Sequence, residues 1–351
     1  MRYAVLKSGF EIFDTCRAYG LAELLHCLRR GEAAPIIQDT GQAYLIEVEA
    51  PDSAPDLATS EEWLAVMEQS AWQQVFLTYK AKWAEQRDKV RRAVEQQWQT
   101  ILHQSVAGLS ADFGGPCTLP GPLDPAAFKG LKGLTATAYS EAATAADEMN
   151  WALACLGAAV AQRYRPQKVT GAKWEYYVTL PIPDLVRFSD FQAIRELVYQ
   201  QGLNYHGLRN AVAHFSVLLA DAVRQRAAGN PLLPLRFSGV LYFSLFPSGN
   251  QYKPAAGGIF QVGGLMDLAL SGRPSVAEAF ATWNYLFRRG SHQGSEDLAE
   301  AITDLVMAPS LESYYDHARV FLRYVMKSRK GVKDDDLYTE DALREVMNYA
   351  A

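Results

Sequence analysis

RYAVLKSGFEIFDTCRAYGLAELLHCLRRGEAAPIIQDTGQAYLIEVEA, residues 2–50, decides the fold class. RYAVL reads as a short strand. Leu21, Leu24, Leu25 and Leu28 then recur at helical spacing, and Gly31 can end that helix as a left-handed cap. APIIQDT and QAYLIEVEA are β-branched or alternating runs around Asp39-Thr40-Gly41, the signal of a hairpin. A strand, a helix and a hairpin within fifty residues predict an α+β chain.

Outward from there, residues 50–60 are rich in Pro, Asp and Ser and read as a loop. Over 61–106, Met67, Ala71, Val75, Tyr79 and Trp83 step by four, as do Val90, Val94, Trp98, Leu102 and Val106. This predicts one amphipathic helix of up to ~45 residues, or two end to end. A Gly/Pro-rich loop is expected over 108–133 and a helix over 140–163. WEYYVTLPIP reads as a strand with a proline exit, followed by helices at 188–202 and 204–228. LRFSGVLYFSLF and GGIFQVGGLMDLAL read as two strands around a long loop, FPSGNQYKPAAGG. From Ser275 onward the chain reads as helical, with breaks near 290–295, Pro309 and Gly331. The expected organisation is a mixed α/β body over 1–274 and a helical C-terminal bundle over 275–351.

The chain has 351 residues, 49% hydrophobic and 21% charged, which is ordinary globular usage. No apolar stretch approaches the ~20 residues of a membrane span, and the N-terminus does not read as a signal peptide, so a cytoplasmic protein without membrane contact is expected. Cys16, Cys27, Cys117 and Cys155 form no C-x-x-C pair and read as buried thiols. Charge is segregated. Residues 1–158 carry 13 Lys/Arg and 20 Asp/Glu, residues 159–333 carry 20 and 13, and the last 18 carry one and six. A basic middle inside an acidic chain suits a local polyanion-binding surface, although segregated solvated charge would look the same.

No P-loop, nucleophile elbow, zincin or deaminase motif is present. Asp39, Glu47 and Glu49 lie on the hairpin without a lysine at nuclease spacing, and exposed strand carboxylates account for them. His206 and His214 are two helical turns apart, about 12 Å, too far for one metal. No catalytic residue, metal or cofactor is expected, and the chain reads as a binding protein rather than an enzyme. Three segments suit nucleic acid. In AQRYRPQKVTGAKWEYY, Arg163, Arg165, Lys168 and Lys173 interleave with aromatics that offer stacking faces. In YYDHARVFLRYVMKSRKGVK, Arg319, Arg323, Lys327 and Lys330 line one helical face, with Arg329 and Lys333 nearby and only Asp316 offsetting them locally; Val320, Leu322 and Val325 are expected to pack inward. In SGNQYKP, Asn250 and Gln251 can bond base edges and Lys253 a phosphate or guanine. A solvated face or an ordinary β-connection accounts for each segment as well.

The opening strand, the FDTCRAYGLAELL helix and the IIQDTGQAYLIEV hairpin, followed by a mixed body and C-terminal helices, resemble the large subunits of type I CRISPR Cascade complexes. The resemblance covers the first 50 residues and the general architecture, and the chain is short for that family. It implies a non-catalytic subunit that recognises the protospacer-adjacent motif in duplex DNA, stabilises the opened strands and contacts guide RNA. Guide RNA, target DNA and the other Cascade backbone subunits would be its partners, with a separate effector nuclease or a transposition factor recruited to it. Motif reading would fall to Asn250, Gln251 and Lys253, and after them to Lys129 and Lys132. Backbone contacts would fall to the basic residues of the other two segments. The competing expectation is a structural protein that binds a partner through the helices of 61–106.

Overall fold

Helix α1 (Glu11–Leu28) sits inside a cluster of helices and strands, with 16 of its 18 residues buried. The leucines mark the helical spacing, but the helix is enclosed on all sides, as its Cys, Ala, Gly and Tyr residues permit. The computed structural model describes residues 1–28, 34–48, 56–124, 144–168, 174–200, 206–228, 230, 232–248, 251–290, 296–327 and 338–351. They form a mixed α/β architecture, with a body of helices and strands and C-terminal helices. The chain divides into two compact units, Met1–Phe191 with Leu241–Ile259, and Gln192–Val240 with Phe260–Ala351.

In the first unit, β1 (Arg2–Leu6) precedes α1, and β2 (Ile36–Asp39) and β3 (Ala43–Glu47) form the expected hairpin. Gly41, at φ +83°, turns it. The segment expected as one long helix is broken into α2 (Glu61–Met67), α3 (Ala71–Val75), a 3-10 segment and α4 (Trp83–Ala107). At the break, Trp72 donates its indole N–H to the Val66 carbonyl at 2.9 Å, occupying an acceptor at the end of α2. Trp63 and Trp72 are fully buried by this arrangement. Strands β4 (Cys117–Thr118) and β5 (Ala145–Ala146) form a small separate sheet. Helix α5 (Glu148–Ala161) follows, capped by the Asp147 carboxylate, with 12 of its 14 residues buried. It crosses α1 where Gly20 and Gly157 face each other, so closely that a Cβ on either would strike the other helix's backbone.

Next come β6 (Arg163–Lys168) and β7 (Trp174–Arg187). The proline exit expected after WEYYVTLPIP is absent, because β7 runs on through Pro181 and Pro183. Both prolines fall between the stretch paired with β6 (174–179) and the stretch paired with β2 (185–187), so neither of those two ladders calls on an N–H there. Strands β8 (Leu235–Ser248) and β9 (Gln251–Gln261) complete a seven-stranded sheet ordered β1-β3-β2-β7-β8-β9, with β6 on β7. The expected loop FPSGNQYKPAAGG is therefore mostly strand. Pro254 is tolerated because β9 ends the sheet order.

The second unit contains α6 (Phe188–Gln200) from its second turn, α7 (Gly207–Ala227), α8 (Gly263–Leu270), α9 (Pro274–Gly290), α10 (Glu296–Met307), α11 (Leu311–Lys327) and α12 (Glu340–Ala350). GGLMDLAL, expected as the end of a strand, is α8. Among the described residues, no helix is long and apolar enough to cross a membrane.

Candidate nucleic-acid interface

Strand pairing sorts the basic segment 163–177 onto two surfaces. Arg163 lies opposite Thr179, Arg165 opposite Tyr177 and Gln167 opposite Glu175; Tyr164 lies opposite Val178, Pro166 opposite Tyr176 and Lys168 opposite Trp174. Cross-strand partners share a face. Positions 164, 166, 168, 174 and 176 thus share one face, and the two arginines lie on the other. The cations do not form one surface. Arg163 is only 5% exposed, which removes it from any contact with a phosphate. Trp174 is 47% exposed. Beside it, Tyr176 meets Tyr252 of β9 edge to face, with ring centroids 5.4 Å apart. Burial, and then the neighbouring Tyr252, raise the Tyr176 hydroxyl above its ordinary range, so it remains a neutral donor at physiological pH.

This ring contact joins two segments about 75 positions apart in sequence, the RYRPQK…WEYY stretch and the QYKP stretch, within one unit. The sequence reading singled out Gln251 and Lys253 but passed over Tyr252 between them. The local sequence offered no signal for it, because its neighbours Pro254, Gly257 and Gly258 read as a loop. Gln251 and Lys253 belong to β9, not to a loop. Asn250, Lys129, Lys132, Lys173, Arg329, Lys330 and Lys333 lie outside the described residues.

Arg319, Arg323 and Lys327 are exposed along α11, as their spacing predicts. Their surroundings are more acidic than the local sequence suggests. An open groove of about 510 Å³ between α10 and α11 is lined by Asp297, Glu300, Asp304, Glu312 and Asp316 together with Arg319 and Arg323. Arg319 bonds Asp316 at 2.9 Å. The inward face of α11 is formed by His317 and Phe321, whereas Leu322, expected inside, is 59% exposed.

The remaining chemical candidates are accounted for by partners. Lys7 Nζ donates to Asp39 at 2.8 Å, and Arg2 pairs with Glu47 at 2.6 Å; Glu49 lies outside the described residues. Sequence reasoning missed a cluster around Tyr44, whose hydroxyl bonds Glu11 and lies 3.0 Å from Thr15, with Lys7 3.3 Å from Glu11. Its groups satisfy one another, so the arrangement suits bracing of the sheet against α1. His214 is buried and stacks on Phe287 at 4.8 Å. Burial raises the Cys16 and Cys155 thiols well above their ordinary range, which keeps them unreactive. Among the described residues, no group of three or more His, Cys, Asp or Glu side chains is placed to hold a metal.

The fold and this surface describe a mixed α/β protein that carries aromatic and basic positions on β6, β7 and β9 of one sheet. No family model matches the chain. A protein of Archaeoglobus fulgidus, described as an uncharacterized protein, is 26% identical to it over 366 aligned positions, which cover 99% of this chain and 98% of the relative. The similarity runs end to end, so it embraces both units.

Proposed function

We propose that the chain is a nucleic-acid-binding subunit of an RNA-guided antiviral complex, recognising the protospacer-adjacent motif in duplex DNA and stabilising the opened strands. The observation that supports this reading best is the contact between Tyr176 and Tyr252, with Trp174 exposed beside them. Aromatic rings brought together from β7 and β9 offer π-faces to unpaired bases; Lys168 of β6 lies opposite Trp174, and Lys253 follows Tyr252 in β9. Sequence would be read chiefly by guide pairing, leaving the protein a short motif and the backbone.

Trp174→Ala and Tyr252→Ala should each weaken single-strand binding by about 1–3 kcal/mol, the usual worth of one base stacked on an aromatic. Gln251→Ala and Lys253→Ala, compared on duplexes that differ only in the flanking base pairs, test the motif-reading role. Unchanged affinity in all four variants would contradict the proposal. The alternative is partner binding through 61–106; there Trp63 and Trp72 belong to the protein's own core, while Trp83 and Trp98 are half-buried.

A further inference from the structure

Helix α11 carries a row of large apolar side chains turned to solvent. Leu311 is 51% exposed, Tyr315 67%, Leu322 59% and Met326 65%. Their spacings of four, seven and four residues keep them within a stripe of about 60° on the helix. The half-buried Ala318 lies in the middle of the row, where a small side chain permits close approach. On a surface helix such residues normally face inward; here His317 and Phe321 on a different face do that packing.

The flank of the stripe is charged in an ordered way. Glu312 and Asp316 occupy the N-terminal half, and Arg323 and Lys327 the C-terminal half. Glu312, Arg323 and Lys327 make no ion pair among the described residues, and the one pair in the row, Asp316–Arg319, is 60% exposed on both sides and therefore weakly held. The pattern has a centre. Leu311 with Met326, and Tyr315 with Leu322, are symmetric about the point between Ala318 and Arg319. Glu312 with Lys327, and Asp316 with Arg323, are symmetric about the point between Arg319 and Val320. The two centres are one residue apart, about 1.5 Å along the axis.

We propose that this face of α11 docks on the same face of a second copy of this chain, antiparallel about a two-fold axis. That symmetry brings the two apolar rows together and places residues of the same flank beside each other in reverse order. Glu312 then lies beside the second copy's Lys327, and Asp316 beside its Arg323, twice over. A parallel two-fold pair would instead set the charged flank of each helix beside the other's uncharged flank of Tyr314 and Val325, leaving these charges unpaired. A single pair of helices buries an area at the low end of interface sizes, below about 1,200 Å² in total, so the dimer is weak and depends on concentration. The proposal is independent of the nucleic-acid reading, and the test uses nuclease-treated protein to keep the two apart.

Sedimentation velocity on the full chain, over a concentration series from micromolar to hundreds of micromolar, should show a monomer passing to a dimer. Glu312→Lys with Asp316→Lys leaves only basic charges on this flank of α11; Arg323→Glu with Lys327→Glu leaves Arg319 as its one base among four acids. Each double variant alone should stay monomeric, and an equimolar mixture should regain the dimer. Leu322→Gln, at an exposed site, should also remain monomeric, and it keeps the test decisive if a charge variant misfolds by circular dichroism. A wild-type chain that is monomeric throughout would overturn the proposal. So would a dimer indifferent to all three changes, or association that disappears with nuclease treatment.

Discussion

Arg17 is fully buried, and its guanidinium fastens three separate pieces of the first unit. Nη2 bonds Asp14 and the Leu6 carbonyl, both at 2.6 Å; Nη1 bonds Asn150 at 2.8 Å and the Leu109 carbonyl at 3.2 Å. Asp14 also accepts from the Ser8 backbone and hydroxyl, both at 2.8 Å. Replacing Arg17 with Met should cost about 3–5 kcal/mol by urea denaturation, because a buried carboxylate loses its counter-ion. Arg17→Met combined with Asp14→Asn should cost less than the two single changes summed; strict additivity would show that the pair is not coupled. His317 supplies a second residue-scale test. Burial lowers its pKa from the usual 6.5 to about 4, while its Nε2 lies 2.8 Å from the Tyr338 hydroxyl. The unfolded ring takes its proton near pH 6.5 and the folded ring only near pH 4. Stability is thus full above pH 6.5, falls as pH drops through that window, and levels off below it. His317→Phe should flatten the dependence of unfolding free energy on pH between those limits, by up to about 1.4 kcal/mol per pH unit. Equal slopes in the two proteins would contradict the assignment. Neither residue was legible in the sequence: an arginine in the middle of a helix and a lone histidine carry no mark of burial.

At the scale of elements, the close crossing of α1 and α5 through Gly20 and Gly157 organises the first unit. Gly157→Ala should destabilise the fold by several kcal/mol or abolish soluble expression, since the obstacle is backbone rather than a side chain that can move. A Gly157→Ala protein that melts like the wild type would show that the helices have room to part. The strand at 2–6, α1 and the β2–β3 hairpin follow from local pattern, because each is fixed by periodicity and turn chemistry within its own residues. The break in 61–107 was hidden, since the steps of four continue through it, and nothing in the local spacing marks the Trp72 indole as a partner for the Val66 carbonyl. Strand β9 was hidden for the opposite reason. Its glycines and proline read as a loop, and only its place at the end of the sheet order makes that composition acceptable. The exposed row on α11 was misread because helical spacing shows that residues share a face, not which way the face points.

For the whole molecule, the division of charge between an acidic first part and a basic middle was legible from composition, but the surface it forms was not. Pairing of β6 with β7 splits the basic segment over two faces, and contact between β7 and β9 unites two segments that the sequence keeps far apart. The central claim is that this surface holds nucleic acid. The most direct measurement is the nucleic-acid content of the protein purified at low salt, followed by its affinity for a single-stranded oligonucleotide as salt is raised. The account predicts that small RNA co-purifies. It also predicts that log K falls linearly with log salt, losing roughly 0.7 per phosphate contact, and that Trp174→Ala weakens binding without changing that slope. Protein that emerges free of nucleic acid, and binds neither single strand nor duplex at low salt, would contradict it.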